Sequence, residues 1–309
     1  MRISIKDRSS LFFQKIKNFT QEKMSKILKM LDIHLWKRYN IIVLIYKGGE
    51  RFFVNYWEWD LQPVQLSDEL FYVGTRKGPS HLLKTNDGLV LIDTGFPQSL
   101  YMLLENIRRL SFDYRDIKYI IHTHGHIDHF GGTRALVELC GAKTYIGKGD
   151  EDAVMGRNEL SYCVDFNREL EEPFTPDVII HDGDKLKFGD KEIEFISTPG
   201  HTKGTLSFFM DLTWQGKTYR AGMFGGAGLN TLEEEYIQRH NLSFSCREEY
   251  AESIKKLLTY KVDIHLGNHL RDNNHLAKME QKRENNNPFI DVLSWQTFLR
   301  MQKEKMEIL

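Results

Sequence analysis

The sequence is poor in cysteine and has no long apolar run, and each absence excludes a class of protein. Its three cysteines, Cys140, Cys163 and Cys246, are widely spaced and match neither a disulfide framework nor a thiolate zinc cluster. The apolar run at 41–46 is too short to span a bilayer, and lysines interrupt the amino-terminal run that a secretory signal would need. We therefore expect a cytoplasmic protein with no transmembrane segment.

The chain also has no excess of charge of one sign. It contains 42 lysines and arginines against 43 aspartates and glutamates, so total charge does not favour binding to nucleic acid, and no such partner is expected. Basic residues are concentrated in 1–40, and 11–32 has a helical period of apolar side chains. We predict that residues 1–50 form a basic amphipathic helical extension. It would pack on the main domain or on a second copy in a homo-oligomer, or lie on an anionic membrane surface.

Residues 51–309 alternate strand-like runs with helical segments, which is typical of an α/β domain. Strands are predicted at 51–56, 70–74, 81–85, 89–92, 117–121, 143–146, 178–181, 185–188, 191–197, 205–211 and 217–224. Helices are predicted at 97–110, 133–140, 247–258 and 294–307. The connection at 149–174 has little periodicity, and a connection of this length is often functional, for example as a lid over a site.

One segment carries an unusual density of metal-ligand side chains. After the predicted strand 117–121, His124, His126, Asp128 and His129 occupy four of six positions, and glycines follow. Imidazole and carboxylate groups suit zinc, and a loop can direct one pair of residues to one ion and the next pair to a second. A structural role explains this density poorly, because buried imidazoles and charges need partners. His122, at the strand end, is not assigned to metal.

The spacing of these four residues resembles the signature of the metallo-beta-lactamase superfamily. The resemblance covers roughly residues 57–295. Asp93-Thr94-Gly95 is similar to the family's aspartate turn, and 198–204 is similar to its later histidine motif. The resemblance implies an α/β fold, a four-layer αββα sandwich, with 51–309 as the catalytic domain and the metals at one edge.

The resemblance further implies two zinc ions per chain. His124, His126 and His201 would bind the first ion, and Asp128, His129 and His269 the second. In the alternating segment 262–269, His265 competes with His269 for the last position, but its place within a strand pattern favours a structural role. Asp93 is expected to orient the site through hydrogen bonds, and its alternative role is to cap a turn.

This ligand set, which lacks cysteine, resembles the third subclass of class B beta-lactamases. The segment 219–228 has no carboxylate where many superfamily members have a bridging aspartate, which argues against glyoxalase-II-like and flavodiiron-like enzymes. The implied activity is hydrolysis of an amide or ester in a beta-lactam, lactone or related small molecule by a metal-bound hydroxide. Asp128 would position or shuttle a proton. Such sites also accept iron, manganese or cobalt.

The alternative function is a noncatalytic metal-binding or interaction protein on the same fold, which the complete ligand set disfavours. The segments 150–175 and 222–247 are expected to shape the pocket. Lys203 and Arg271 are candidate partners for a substrate carboxylate, although surface charge is the simpler interpretation of both. Substrate contact or core packing is expected for four aromatic residues: Tyr162, Phe166, Phe174 and Phe224.

Overall fold

Two β-sheets lie face to face and share one apolar core. The computed structural model describes residues 55–163 and 173–309, and Tyr56–Leu309 group together as one unit. The core between the sheets contains Val90 and Ile121 from one sheet and Phe208 and Met223 from the other. The inner faces of the sheets therefore bury each other.

The strands of the described residues follow the predicted pattern closely. They are β1 (Val64–Gln65), β2 (Leu70–Tyr72), β3 (His81–Thr85), β4 (Gly88–Ile92), β5 (Ile117–Ile121), β6 (Lys143–Gly147), β7 (Val178–Ile180), β8 (Lys185–Phe188), β9 (Lys191–Ser197), β10 (Leu206–Trp214), β11 (Lys217–Met223) and β12 (Ile264–Leu266). The first sheet has the order β1-β2-β3-β4-β5-β6-β7 and the second β12-β11-β10-β9-β8. Strands β1 to β4 pair antiparallel and β4 to β7 pair parallel. In the second sheet, β12 pairs parallel with β11 and the other pairs are antiparallel.

Helices occupy the connections between these strands and the carboxyl-terminal part of the chain. In the described residues they are α1 (Leu100–Arg109), α2 (Ile127–Phe130), α3 (Thr133–Cys140), α4 (Glu151–Val154), α5 (Glu234–Arg239), α6 (Ser245–Leu257), α7 (His275–Gln281) and α8 (Ser294–Met306). Short 3-10 helices occupy Tyr56–Trp59, Pro97–Ser99, Tyr114–Asp116 and Asn230–Leu232. None of the helices at 55–163 or 173–309 is long and apolar enough to cross a membrane.

Helices cover the outer face of each sheet, so the molecule has four layers. Leu103 of α1 and Leu136 of α3 pack with Leu91 of β4 in a core outside the first sheet. Ile254 of α6 and Trp295 of α8 belong to a second outer core beyond the other sheet. The order of layers is helix, sheet, sheet, helix, which confirms the predicted αββα sandwich.

The double burial of the sheets explains why their central strands are apolar throughout. In β4, Val90 and Ile92 face the core between the sheets, whereas Leu89 and Leu91 face the helices. Successive side chains of a strand point to opposite faces, so a strand covered on both sides needs apolar residues at consecutive positions. The runs at 89–92 and 117–121 in the sequence reflect this constraint.

The predicted strand at 51–56 is wrong where the structure describes it. Tyr56 begins the 3-10 helix Tyr56–Trp59, and its ring meets the Trp59 ring edge-to-face at a centroid distance of 5.0 Å. A spacing of three residues brings two side chains onto one face of a helix but onto opposite faces of a strand. The contact between Tyr56 and Trp59 therefore fits the 3-10 helix and not a strand at these positions.

Two further differences concern the end of β10 and two short helices. Strand β10 continues to Trp214, beyond the predicted end at 211, because Gln215 and Gly216 form the turn to β11 with φ values of 51° and 76°. Positive φ at both turn residues is typical of the two-residue hairpin turns that match strand twist. Helices α5 and α7 were not predicted, since six or seven residues give too little periodicity to recognise.

Several predictions fall outside the described residues. They are the helix within 11–32, the domain boundary between 50 and 51, most of the first predicted strand, and any contact made by Phe166. The amino-terminal helical extension therefore stays a prediction.

The core between the sheets is expected to determine stability. Phe208 is fully buried, so Phe208→Ala should lower the free energy of unfolding by about 3–5 kcal/mol through lost burial and a cavity. Urea denaturation followed by circular dichroism measures this change. Phe244→Ala is the control, because 47% of Phe244 is exposed, and its effect should stay within about 0.5 kcal/mol. Equal losses for the two variants would contradict this assignment of the core.

Candidate metal centre

The six metal ligands suggested by the sequence come from four places along the chain and meet at one edge of the two sheets. His124 and His126 follow β5, and Asp128 and His129 lie on α2. His201 lies in the loop between β9 and β10, and His269 follows β12. The structure thus brings together residues that are far apart in the sequence.

His124, His126 and His201 form the first trio, and their ring nitrogens converge. His126 Nδ1 lies 3.0 Å from His124 Nε2 and 3.1 Å from His201 Nε2. One ligand atom of each residue lies within 4.8 Å of those of the other two. All three side chains are buried, so bulk solvent does not separate the nitrogens.

Asp128, His129 and His269 form the second trio. Asp128 Oδ2 lies 3.4 Å from His129 Nε2 and 3.8 Å from His269 Nε2, and these ligand atoms also group within 4.8 Å. The rings of His124 and His129 are 4.1 Å apart between centroids, so the two trios adjoin. This arrangement is suited to two cations side by side.

Hydrogen bonds on the far side of the rings determine which nitrogen is free to bind a cation. His201 Nδ1 lies 2.8 Å from the carbonyl oxygen of Gly228. A carbonyl can only accept, so Nδ1 carries the proton and Nε2 presents a lone pair to the first trio. His129 Nδ1 is similarly placed 2.7 Å from the Asp93 carboxylate, which leaves His129 Nε2 facing the second trio.

The Thr123 hydroxyl determines which nitrogen of the His124 ring carries the proton. This hydroxyl donates to Asp93 Oδ2 at 2.8 Å, and therefore accepts from His124 Nδ1, which lies 3.1 Å away. His124 Nε2 is then the free nitrogen. Asn268 also donates to the same hydroxyl at 3.2 Å, which links the loop before His269 to this network. Outer hydrogen bonds of this kind orient metal ligands and set their tautomers.

Asp93 is the centre of these outer bonds. Its carboxylate accepts from the backbone N–H of Thr123 at 2.8 Å, from the Thr123 hydroxyl and from His129. Its φ is +60°, an unfavourable backbone region for a residue with a side chain. The contacts agree with the orienting role expected for Asp93.

Electrostatics keep several of the ring nitrogens available at neutral pH. Burial lowers the pKa of His201 to about 4 and that of His269 to about 3, so both rings are neutral. Burial alone would lower the pKa of His129 too, but the carboxylates of Asp128 and Asp93 raise it to about 10. A cation bound between His129 and Asp128 competes directly with that proton.

The residues fit metal ions for a further reason. Among the described side chains, Nε2 of His129 is buried without a hydrogen-bond partner, although it lies near a carboxylate. A buried polar atom without a partner is costly, and a bound cation would satisfy it. Buried imidazoles with a single carboxylate and no thiolate are ligands suited to zinc.

Two other histidines of these segments have different roles. Both ring nitrogens of His122 are occupied, by the Tyr145 carbonyl at 2.9 Å and the Thr133 hydroxyl at 2.7 Å. His265 lies inside β12, where Nδ1 is 3.0 Å from the Ser294 hydroxyl and the ring packs on Trp295. The structure therefore places His269, and not His265, in the second trio.

A cleft of about 490 Å³ borders His126 and His201. Its walls come from the chain around 149–160 and 231–249, which overlap the two segments expected to shape a pocket. Lys203 lines this cleft, whereas Arg271 is mostly exposed and lies 3.7 Å from Asp272. Of the two candidate anion partners, the structure thus places Lys203 at the cleft.

The aromatic residues singled out in the sequence divide between site and core. The Tyr162 ring meets His126 edge-to-face at 4.7 Å and stacks on Tyr236 at 5.1 Å. Phe174 and Phe224 are buried and belong to apolar clusters, as core packing would require. Tyr236 was not foreseen.

Apart from Asp93, sequence reasoning missed the partners that orient the ligands. Thr123 and Asn268 adjoin recognised histidines, so their position was a usable signal. The carbonyl of Gly228 left no signal, because every residue has one and only the fold decides where it points. Asp150, which contacts both ligand loops, was hidden in a segment without periodicity.

Removal of the Asp93 carboxylate should weaken metal binding. Asp93→Asn replaces an acceptor oxygen by a donor next to Thr123 and His129, so affinity for zinc should fall by about 10- to 100-fold. Competition with a chromophoric chelator measures the affinity. Asp113→Asn is the control, because the Asp113 carboxylate caps a surface turn through the Arg115 N–H and pairs with the Arg115 guanidinium, away from both trios. Unchanged affinity in Asp93→Asn would show that Asp93 serves the turn alone.

Comparisons with known proteins agree with this geometry. Residues 73–212 match the family model described as the metallo-beta-lactamase superfamily. The probable metallo-hydrolase YflN of Bacillus subtilis is 32% identical over 136 residues, which cover 40% of this chain and 51% of that protein. The N-acyl homoserine lactonase AiiA of Bacillus thuringiensis is 24% identical over 164 residues, with coverages of 44% and 59%. This chain therefore spans about half the length of these curated relatives.

A solved structure matches over a larger part of the chain. BJP-1, a subclass B3 metallo-beta-lactamase of Bradyrhizobium japonicum, superimposes with a TM-score of 0.75 at 27% identity. The match covers 82% of this chain and 96% of that one. The fold expected from the sequence is confirmed, and so is the resemblance to beta-lactamases of the third subclass.

Proposed function

We propose that this chain, whose residues 73–212 match the metallo-beta-lactamase superfamily, is a two-zinc hydrolase of a small cyclic ester or amide. The observation that carries the proposal is the pair of adjoining trios, whose free nitrogens are set by outer hydrogen bonds. His124, His126 and His201 would hold one ion, and Asp128, His129 and His269 the other. A noncatalytic metal-binding protein is the alternative, and it gives no reason for a cleft beside the first trio.

Zinc in such a site lowers the pKa of water toward about 7 and polarises a carbonyl group. The chain's own groups orient the reaction. Burial would raise the pKa of Asp128, but the adjacent His129 outweighs this effect and lowers the pKa below its ordinary value. Asp128 is therefore ionised at neutral pH. We assign its Oδ2, which faces His129 and His269, to the second ion, and its other carboxylate oxygen to accepting a hydrogen bond from the attacking water and so positioning it.

The cleft favours small substrates with an apolar part. Ala153, Leu160, Tyr236 and Leu242 contribute apolar surface to its walls, and Tyr162 stands over His126 beside Tyr236. A lactone or lactam ring that reached the metal side of the cleft would leave its substituent against these residues. The relatives named as a lactonase and as a beta-lactamase support both substrate classes.

Charge in the cleft distinguishes neutral from anionic substrates. Asp152 and Glu249 line the cleft and are exposed, and Lys203 is the one lysine or arginine among the described lining residues. Like charges repel an anionic substituent, so a beta-lactam, which carries a carboxylate, would depend on Lys203. A neutral lactone has no such requirement.

Zinc content and turnover test the function together. Wild-type protein should contain two zinc ions per chain and hydrolyse a simple lactone or a chromogenic cephalosporin in a zinc-dependent manner. His269→Ala removes one ligand of the second trio and should reduce the content toward one zinc, with loss of turnover. Elemental analysis and initial rates measure the two effects.

The control for this test is His265→Ala, which alters a buried histidine four residues before His269 that belongs to neither trio. It should keep two zinc ions. Wild-type protein that holds two zinc ions but hydrolyses neither substrate class would favour the noncatalytic binding protein. At most one zinc ion per chain after loading would contradict the two-zinc site.

Lys203 should affect anionic substrates selectively. Lys203→Ala is expected to raise KM for a cephalosporin by about 2- to 5-fold, the effect of an exposed ion pair worth about 0.4–1 kcal/mol. KM for an uncharged lactone should stay the same. Steady-state kinetics at low ionic strength make the comparison, with Lys148→Ala as the control for an exposed lysine outside the cleft. Equal changes for both substrates would remove Lys203 from substrate binding.

A further inference from the structure

Asp150 is a buried carboxylate that touches both loops of the first trio without belonging to it. It follows β6 and directly precedes α4, and its exposure is 3%. Its Oδ2 accepts from the Gly125 N–H at 2.8 Å and from the Thr202 hydroxyl at 2.7 Å. Its Oδ1 accepts from the Gly204 N–H at 2.8 Å.

Two of these three donors directly adjoin ligands of the first trio in the sequence, and the third, Gly204, lies in the same loop as His201. Gly125 separates His124 from His126, and Thr202 directly follows His201. The first loop follows β5 of the seven-stranded sheet, whereas the second joins β9 to β10 of the five-stranded sheet. One carboxylate therefore ties together ligand loops that belong to different sheets.

Glycine residues in both ligand loops allow the loops to approach Asp150 closely. A Cβ placed on Gly204 would lie 2.7 Å from Asp150 Cγ, and one placed on Gly125 would lie 3.1 Å from Asp150 Cβ. Side chains at these two positions would push the loops away from the carboxylate. Glycine at both positions allows the backbone N–H groups to reach Asp150.

A purely local role does not explain these bonds. Although Asp150 precedes α4, its side chain makes no capping hydrogen bond to that helix. Each of its three side-chain hydrogen bonds within the described residues goes to a ligand loop of the first trio. The second trio is anchored differently, through Asp93 on His129 and through Asp272, which accepts from the His269 N–H at 2.9 Å.

We propose that Asp150 is a positioning residue that holds His201 in register with His124 and His126, and so sets the affinity for one of the two metal ions. The inference rests on the proposed two-metal function. The 3.1 Å distance between His126 Nδ1 and His201 Nε2 joins the two loops, whereas the 3.0 Å distance between His124 Nε2 and His126 Nδ1 lies within the first loop. Loss of the tie would let the loops separate and would weaken coordination by the first trio more than by the second.

Cobalt titration of the full chain tests this role without reference to turnover. Asp150→Asn keeps one acceptor oxygen but places an amide NH2 against a backbone N–H or the Thr202 hydroxyl. We expect the affinity for one cobalt equivalent to fall by about 10- to 100-fold while the other changes little. Visible absorption of bound cobalt reports the coordination of each equivalent, and chelator competition gives the affinities.

The matched control is Asp177→Asn. The Asp177 carboxylate accepts from the backbone N–H and hydroxyl of Thr144, both at 2.8 Å, so it makes similar bonds but touches no ligand loop. It should bind both cobalt equivalents as the wild type does. Thermal unfolding in excess chelator establishes that each variant folds.

A milder pair of variants keeps the test decisive if Asp150→Asn does not fold. Thr202→Val removes one of the three bonds to Asp150, and Thr144→Val removes the equivalent bond to Asp177. Selective weakening of one equivalent in Thr202→Val alone supports the proposal. Equal weakening of both equivalents, or no difference from the control variants, overturns the role of Asp150. Wild-type protein that binds no cobalt overturns the two-metal function and this inference with it.

Discussion

The Asp93 carboxylate is the point on which the metal-binding edge depends. It lies at the end of β4, in the middle of the first sheet, and bonds to Thr123 after the neighbouring strand β5 and to His129 on α2. Through the Thr123 hydroxyl it also reaches His124 and Asn268. Asp93 therefore combines an unfavourable backbone conformation with a buried carboxylate, both of which cost free energy of folding. Its hydrogen bonds offset part of this cost and hold three segments that carry metal ligands in one arrangement.

The two sheets determine where the ligand loops lie, which the hydrogen bonds of Asp93 alone do not. Burial of both faces of β4 and β5 fixes the strands to which the ligand loops are attached, and the core between the sheets brings the second set of loops alongside the first. Side-chain packing alone does not set a ligand atom to within a few tenths of an ångström. Hydrogen bonds from buried carboxylates to backbone N–H groups do so, because their lengths and directions are narrowly defined.

The sequence predicted the fold class, most strands and the ligand-rich loop, because these depend on local patterns. Buried strands such as 89–92 and 117–121 are continuous apolar runs, and four ligand-type residues within six positions leave few structural interpretations. His201 and His269 needed a family resemblance, since nothing near either residue marks a metal. Asp93 was also predicted through the family resemblance, whereas the Gly228 carbonyl, a backbone atom, and Asp150, which contacts the ligand loops from a segment without periodicity, were not.

The hydrogen bond between His201 and the Gly228 carbonyl limits which walls of the cleft can change in sequence without affecting metal binding. The segment that provides this carbonyl leads directly into the Asn230–Leu232 turn and α5, which wall the cleft. Insertions that reshape the cleft would also move the acceptor that holds the His201 tautomer. New substrate preferences are therefore more accessible through changes on the opposite wall at 155–160, which lies beyond Asp150 and α4 and provides none of the hydrogen bonds described for His201. Changes in substrate preference and retention of metal are therefore coupled near Gly228 and Asp150 and separate at 155–160.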